Sequence, residues 1–312
     1  MKRRSFIQGS AGIALGQLLA GCGAPREGAL RVRLLEDSVS RRLLRRFQQE
    51  IRGAFPLQIK AADSLQDLFG LLQQWQAMRQ EPGERVLPAN ILTLGDYWLS
   101  GAIAQDLIQP LNPETYQGWE QIHQRWKAPL RRDRQGQIDD RGDIWAAPYR
   151  WGCTAIAYRQ DRLDWIPSDW SDLWREELKH RIALPDSARQ VIGLTLKKLG
   201  FSYNHEALDE VPELVPELRR LHQQVKFYGS STYLEPLLIG NISVAVGSSA
   251  DILPLIERYR GDRFRKIGAI VPASGTDLWQ DVWVRPQASD PPSADAIQRW
   301  VEFTGSLKWL KC

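Results

Sequence analysis

Apolar positions along the chain switch between the period of strands and the period of helices. Leu30 to Leu35 alternates apolar and polar side chains as a half-buried strand does, and Ser40 to Arg52 follows with helical spacing. Phe55 to Ile59 alternates again, and a second helical run begins after Ser64, which is a suitable helix cap. The first eighty residues therefore predict the order strand, helix, strand, helix.

The same alternation continues through the rest of the chain. Four further apolar runs have the length of strands: Asn90 to Leu94, Ile182 to Leu184, Ser243 to Val246 and Ile267 to Val271. A helix is predicted from about Ser187 to Leu199, and another between the last two runs. This β-α-β order predicts an α/β protein with buried, largely parallel sheets. The charged, glycine-containing segment Arg131 to Asp143 predicts a surface loop.

A basic and then weakly apolar segment precedes these elements. Arg3 and Arg4 stand before the apolar run Ile13 to Leu19, and small residues follow as far as Cys22. This order is typical of an export signal, and paired arginines indicate the twin-arginine route. No later stretch reaches the ~20 apolar residues that a membrane-spanning helix needs.

The ending Leu19-Ala20-Gly21-Cys22 resembles the lipobox of bacterial lipoproteins. The resemblance implies cleavage before Cys22 and a lipid on that cysteine. We therefore expect residues 1–21 to be a twin-arginine lipoprotein signal and residues 22–28 to be a lipid-anchored linker. The protein would then lie in the periplasm, attached to the membrane by its N-terminal lipid. An ordinary secretory signal with a chance cysteine is the alternative.

Length and charge narrow the class of protein. Without the signal about 290 residues remain, enough for two lobes with sizeable cores. The chain has 41 basic residues, of which Lys2, Arg3 and Arg4 leave with the signal, so 38 face 37 acidic ones. A nucleic-acid-binding protein needs a sustained basic face, which this balance does not predict.

Motifs of enzymes, metals and cofactors are missing from the sequence. The four histidines never stand at metal-ligand spacing: His123, His180, His205 and His222. No phosphate loop or dinucleotide fingerprint is present, and Gly247 to Asp251 lacks the second glycine of a nucleophile elbow. The sequence thus predicts no enzyme, cofactor or metal site. A carboxylate-dependent hydrolase stays open, because sequence cannot place two carboxylates across a sugar.

Thirteen tryptophans are far more than a chain of 312 residues ordinarily carries. Most are expected in the core, since tryptophan is mainly a large buried residue. A minority could bind a cation, because an indole face attracts an ammonium group by ~0.5–2 kcal/mol. The segment Gly275 to Val284 offers such a place. If it is extended, Trp279, Asp281 and Trp283 lie on one face.

Five segments, in this order, resemble the periplasmic spermidine/putrescine-binding proteins of ABC importers. They are Pro148 to Tyr158, Ser168 to Trp174, Leu184 to Val191, Leu196 to Ser202 and Trp279 to Asp281. The resemblance implies a two-lobed α/β periplasmic binding protein, type II-like, with a ligand cleft between lobes joined by two crossing strands. Lobe 1 would be residues 29–155, completed by 278–312, and lobe 2 would be residues 156–277. Such a protein closes around its solute and delivers it to permease subunits.

The resemblance also implies the residues that hold the solute. Aromatic walls would come from Trp279 and Tyr97, with either Trp98 or Trp151 as a further one, and Asp281 would bind an ammonium group. Candidate ammonium partners elsewhere are Asp37, which stands beside Ser38 at a family aromatic position, and Asp186.

Two departures bear on the solute. Ser187 and Gln190 stand where relatives that bind polyamines have an acidic pair. Val246 stands at another aromatic position of the family. A polyamine or similar small cation is the first expectation. Another cation, a metal complex or a neutral solute on the same scaffold stays open, as does a lipoprotein that has lost transport and serves as a scaffold.

Overall fold

A computed structural model describes residues 28–80, 88–229, 232–287, 289 and 294–305. The predicted signal and the proposed lipid site at Cys22 lie outside these residues. Within the described ranges, no helix is both long and apolar enough to cross a membrane.

Strands and helices alternate along the described residues, with short 3-10 helices between them. The strands are β1 Leu30–Leu35, β2 Leu57–Ala62, β3 Ile91–Gly95, β4 Ile108–Gln109, β5 Arg131–Arg132, β6 Asp143–Ile144, β7 Ala146–Arg159, β8 Ile182–Leu184, β9 Val225–Tyr228, β10 Val244–Ser248, β11 Ile267–Ile270 and β12 Leu278–Pro286. The helices are α1 Arg41–Glu50, α2 Leu65–Gln80, α3 Leu99–Ala104, α4 Gln124–Lys127, α5 Ala188–Lys198, α6 Leu214–Gln224, α7 Glu235–Leu238, α8 Ser249–Arg258 and α9 Ala294–Thr304.

The chain divides into two compact units. The first contains the described residues up to Leu94, with Trp98–Ala147 and Trp283–Thr304, and the second contains Gly95–Tyr97 and Pro148–Val282. The chain passes from one unit to the other within β7 and within β12. The sequence-based boundaries near residues 155 and 278 fall in or beside these same two strands.

The first unit is built on parallel strands. β1 pairs in parallel with β2 on one side and with β3 on the other. Ser40 caps α1 by accepting a hydrogen bond from the Leu43 N–H at 3.3 Å, which fixes where the helix begins. Phe47 of α1 packs edge-to-face on Trp300 of α9 with ring centroids 5.1 Å apart. The predicted strand β1 and helix α1 are thus confirmed.

The sheet of the second unit is mixed, so the prediction of largely parallel sheets is wrong there. β8 pairs in parallel with β9 and β10, but β7 runs antiparallel to both β10 and β11. Tyr158 of β7 pairs with Val244 on one side and with Gly268 on the other. Helix α8 connects β10 to β11 as a crossover, so these two strands share a direction, and β7 between them opposes both.

The predicted loop at 131–143 contains a small hairpin. β5 and β6 pair antiparallel, Arg131 with Ile144 and Arg132 with Asp143. The Asp133 carboxylate accepts backbone N–H hydrogen bonds from Gln135 and Gln137, and this closes the turn between them. The turn of this segment is exposed to solvent, which agrees with its charged residues.

Candidate functional site

Arg150 of β7 is the centre of a charged and aromatic cluster in the second unit. Its Nη1 donates to Oδ2 of Asp281 at 3.4 Å, and its Nη2 donates to Oδ1 of Asp251 at 2.9 Å. Its Cζ lies 5.4 Å from the ring centroid of Trp279, within the range of a cation–π contact. One guanidinium therefore bridges two carboxylates and stacks on one indole. We call these four residues the Arg150 cluster.

Strand β12 supplies two members of the cluster. It is extended through Trp279, Asp281 and Trp283, as predicted, so these alternate side chains share a face of the strand. Trp279 is half-buried and Asp281 is buried. Trp279 and Asp281 both contact Arg150, and their role in binding a solute stays a prediction.

Helix α8 supplies the second carboxylate. Ser248 caps the helix by accepting the Ala250 N–H at 3.1 Å, which places Asp251 in the first turn. The Tyr233 hydroxyl donates to Oδ2 of Asp251 at 3.2 Å and accepts the Ser248 N–H at 3.1 Å. Burial, followed by the nearby Asp251, raises the pKa of Tyr233, so this hydroxyl keeps its proton and remains a donor.

Two glycines make room for these side chains. A Cβ at Gly247 would lie 2.2 Å from the Tyr233 ring, and a Cβ at Gly152 would lie 2.6 Å from Cζ2 of Trp279 and from the Ser249 hydroxyl. No real Cβ atom sits so close, so both positions require glycine for close approach rather than for unusual dihedral angles. The Trp151-Gly152 motif of the sequence thus has a packing reason.

The electrostatics of the cluster follow from burial and from the charges that face each other. Burial raises the pKa of Asp281 to about 7, although Arg150 lowers it, and Asp96 and Asp251 raise it further. Burial alone would lower the pKa of Arg150, but Asp281 and Asp251 raise it above its ordinary value. Arg150 is therefore charged at every physiological pH, whereas the proton occupancy of Asp281 changes near neutrality.

A second arginine covers the other predicted aromatic residue. The Arg189 Cζ lies 5.5 Å from the ring centroid of Tyr97, and its Nη2 donates to Oδ1 of Asn204 at 2.8 Å. Tyr97 is 45 % exposed. Two of the predicted aromatic residues, Tyr97 and Trp279, thus each lie against a guanidinium of their own chain.

The remaining predicted residues of the second unit lie after β8, at the start of α5 and in β7. Asp186 is exposed, and Ser187 is the cap position of α5, where its side chain makes no capping hydrogen bond. Gln190 is half-buried in the first turn of α5, and its carbonyl accepts the Tyr203 hydroxyl at 3.2 Å. Trp151 is half-buried in β7, next to Arg150.

Asp37 and Ser38 lie in a turn after β1, in the first unit. Asp37 has a left-handed backbone with φ 56°, and the Ser38 hydroxyl donates to the Leu35 carbonyl at 2.7 Å. The roles of these two residues, and of Asp186, Ser187, Gln190 and Trp151, stay predictions.

Sequence reasoning missed Arg150, Asp251 and Tyr233. Arg150 stands inside the Pro-Tyr-Arg-Trp-Gly motif, and Asp251 ends the segment Gly247 to Asp251. No local pattern in either segment predicts a contact between the two residues. A signal was present, since an arginine inside a buried strand requires an acidic partner. That signal does not say which of the 37 acidic residues is the partner.

Within the described ranges, no three His, Cys, Asp or Glu side chains come together as a group that could hold a metal ion. Asp251 and Asp281 share one guanidinium. The arrangement can bind and orient charged groups.

Comparison with known proteins finds similar chains among polyamine-binding proteins. The chain is 32 % identical to the spermidine/putrescine-binding periplasmic protein of Salmonella typhimurium over 143 residues, 46 % of this chain and 40 % of that protein. It is 30 % identical to the putrescine/cadaverine-binding protein of Pseudomonas aeruginosa over 191 residues, 56 % of this chain and 52 % of that one. The matched region thus spans about half the length of these curated relatives, or less.

Solved structures share the fold over most of the chain. The spermidine/putrescine ABC transporter substrate-binding protein PotD of Streptococcus pneumoniae superposes with a TM-score of 0.69 at 24 % identity, covering 90 % of this chain and 78 % of that one. The Tp0655 lipoprotein of Treponema pallidum superposes with a TM-score of 0.70 at 16 % identity, covering 88 % and 80 %. These likenesses confirm the predicted α/β periplasmic-binding-protein fold.

The family model of bacterial extracellular solute-binding proteins matches residues 88–311, well over half of the chain. This match confirms the predicted class, a binding protein rather than an enzyme. The chain belongs to the family of bacterial extracellular solute-binding proteins.

Proposed function

We propose that the protein is the solute-binding component of an ABC importer and that its solute is a small organic cation related to the polyamines. The observation that carries the proposal is the Arg150 cluster, in which two carboxylates and an indole face surround a positive group. Relatives named for spermidine, putrescine and cadaverine support the same class of solute.

The charges of the cluster favour a further cation. With both carboxylates ionised, Asp251 and Asp281 carry two negative charges against the single positive charge of Arg150. Burial raises the pKa of Asp281 to about 7, so a cation brought beside this carboxylate would stabilise its charged form. An ammonium group would add charge-assisted hydrogen bonds, each contributing ~1.5–3 kcal/mol.

Titration with amines tests the proposal. Putrescine, cadaverine and spermidine should each bind saturably in calorimetry, and at ~100 times Kd should add ~2.7 kcal/mol of stability in thermal unfolding. The titration is repeated with Asp281→Asn: a weakening of ~30- to 4,000-fold, the usual cost of ~2–5 kcal/mol for removal of a buried charge partner, would mean that the amine contacts Asp281 directly, whereas little change would mean that Arg150 already occupies that place. Saturable binding of a sugar or an amino acid, with none of the amines, would show a scaffold that takes a different solute.

The proposal extends to location and delivery. In this proposal the protein is exported by the twin-arginine route and is then attached to the membrane through lipid on Cys22. It would present its solute to a permease by closure about β7 and β12, within each of which the chain passes from one unit to the other. The attachment is inferred from residues 1–22, and the closure is inferred from the family.

A further inference from the structure

The place that a cationic solute would take in the Arg150 cluster is filled by the chain itself. The Arg150 side chain is 18 % exposed and the Asp281 side chain is 6 % exposed, so this ion pair is largely removed from water. Each of the two carboxylates binds a different terminal nitrogen of the guanidinium, and the indole of Trp279 lies against it. The groups that would contact an ammonium group there are already engaged by Arg150, although the cluster has one more acidic group than basic groups.

We propose that Arg150 is the specificity-determining residue of this site: a tethered guanidinium that excludes the end of a long diamine from Asp281, Asp251 and Trp279. The inference rests on the proposed function and names its solute more narrowly. The solute would be a monocation, with one positive end, because Arg150 supplies the second positive group permanently.

Tethering explains why a free ammonium group displaces Arg150 poorly. An internal group competes at the effective concentration that its linkage sets, typically millimolar or above for a short tether. The planar guanidinium also reaches both carboxylates at once, which a single ammonium group cannot do with the same geometry. If Arg150 fills the subsite ~99 % of the time, the apparent Kd of a competing ammonium group rises ~100-fold.

A chemical-rescue experiment reads the subsite directly. Arg150→Ala leaves Asp281 and Asp251 facing a space that fits a guanidinium, and methylguanidinium chloride supplies one from solution. At pH 8 and constant ionic strength, we expect millimolar methylguanidinium to raise the melting temperature of Arg150→Ala saturably. The same salt should leave the wild-type protein unchanged. A rescue of equal size in the wild type, or none in Arg150→Ala, overturns the proposal.

Arg175→Ala is the matched control. Arg175 also stacks on an indole, with its Cζ 4.2 Å from the Trp165 ring, and it lies 4.0 Å from Asp172, but its side chain is 41 % exposed. It therefore meets one carboxylate and one indole, and it is more exposed to water than Arg150. Methylguanidinium should give Arg175→Ala no saturable stabilisation. A rescue there equal to that of Arg150→Ala would show a general surface effect and would overturn the proposal.

Calorimetry with putrescine then tests specificity. Arg150→Ala should bind putrescine at least ~10-fold more tightly than the wild type, because the subsite is open in the variant. The double variant Arg150→Ala, Asp281→Asn should lose that gain. Equal or weaker binding by Arg150→Ala would mean that Arg150 supports the solute rather than competing with it, and would overturn the proposal.

Arg150→Lys keeps the test decisive if Arg150→Ala fails to fold. Its single ammonium group neutralises the cluster but binds the two carboxylates less completely, so a smaller gain in putrescine affinity, a few-fold, is expected. No gain would contradict the proposal.

The proposed function and this inference fail differently. Tight polyamine binding by the wild type without any gain in Arg150→Ala keeps the function and removes the inference. Methylguanidinium rescue, with no cationic solute bound by any variant, keeps the filled subsite and removes the function.

Discussion

At the scale of single residues, the second unit contains two aspartates that bind the same arginine, Arg150. Asp251 lies 101 positions from Arg150 in the sequence and Asp281 lies 131 positions away. Trp279 and Asp281 could be predicted as a pair because they share a strand and its period of two. Arg150 could not be assigned to them, since no local pattern encodes contacts over such separations.

The pH dependence of stability is the first prediction at this scale. Burial raises the folded-state pKa of Asp281 to about 7, whereas an exposed aspartate in the unfolded chain ionises near pH ~4. Between these values folded Asp281 binds more protons than unfolded Asp281, so the contribution of this group to the free energy of unfolding falls as pH rises from ~4 to ~7 and levels above. Urea unfolding at several pH values measures it.

Asp281→Asn provides the comparison for this prediction. An asparagine cannot ionise, so the decline between pH ~4 and ~7 should become shallower in the variant by the contribution of this one group. Parallel pH profiles for the two proteins would assign the decline to other residues. The measurement needs no solute, so it reports on the cluster alone.

At the scale of elements, the sequence identified strands and helices well and their pairing less well. β1, α1 and β8 were predicted because periodicity and a helix cap are local properties. The direction of β7 relative to its neighbours was not predicted, because an apolar run has the same sequence pattern in parallel and in antiparallel sheets. The short hairpin of β5 and β6 was hidden for a related reason, since two-residue strands have no periodicity.

Close packing between β10 and Tyr233 supports the second prediction. In Gly247→Ala the new Cβ would lie 2.2 Å from the Tyr233 ring, which is buried and bonded to Asp251. The ring must shift, so we expect a loss of ~1–3 kcal/mol in the free energy of unfolding. Urea denaturation at constant pH measures it.

Gly70→Ala is the matched control for Gly247→Ala. Gly70 lies inside α2, and a Cβ there would meet nothing within 4 Å. Alanine is the better helix former, so this variant should gain ~0.4–1 kcal/mol. A loss in Gly70→Ala as large as that in Gly247→Ala would show that the cost at Gly247 is not specific to the Tyr233 contact.

At the scale of the whole molecule, β7 and β12 join two units that each have their own strands and core. The third prediction is that a saturating cationic solute lowers the radius of gyration in solution scattering, because the proposed delivery to a permease requires closure about these two strands. The wild type without solute, at the same ionic strength, is the control and should keep the larger radius. An unchanged radius in the saturated wild type would contradict hinge closure while leaving binding itself intact.

The last prediction concerns attachment to the membrane. Without residues 1–21 the chain has 38 basic and 37 acidic residues, a balance too even to hold it on an anionic membrane surface. Lipid on Cys22, which the resemblance to a lipobox implies, would supply the attachment, at ~0.8 kcal/mol for each buried methylene group. Cys22→Ser should therefore move the protein from the membrane fraction to the soluble fraction.

Cys153→Ser, which changes a half-buried cysteine of β7, should leave the protein in the membrane fraction. Retention of Cys22→Ser in the membrane at the level of the wild type would rule out the lipid anchor.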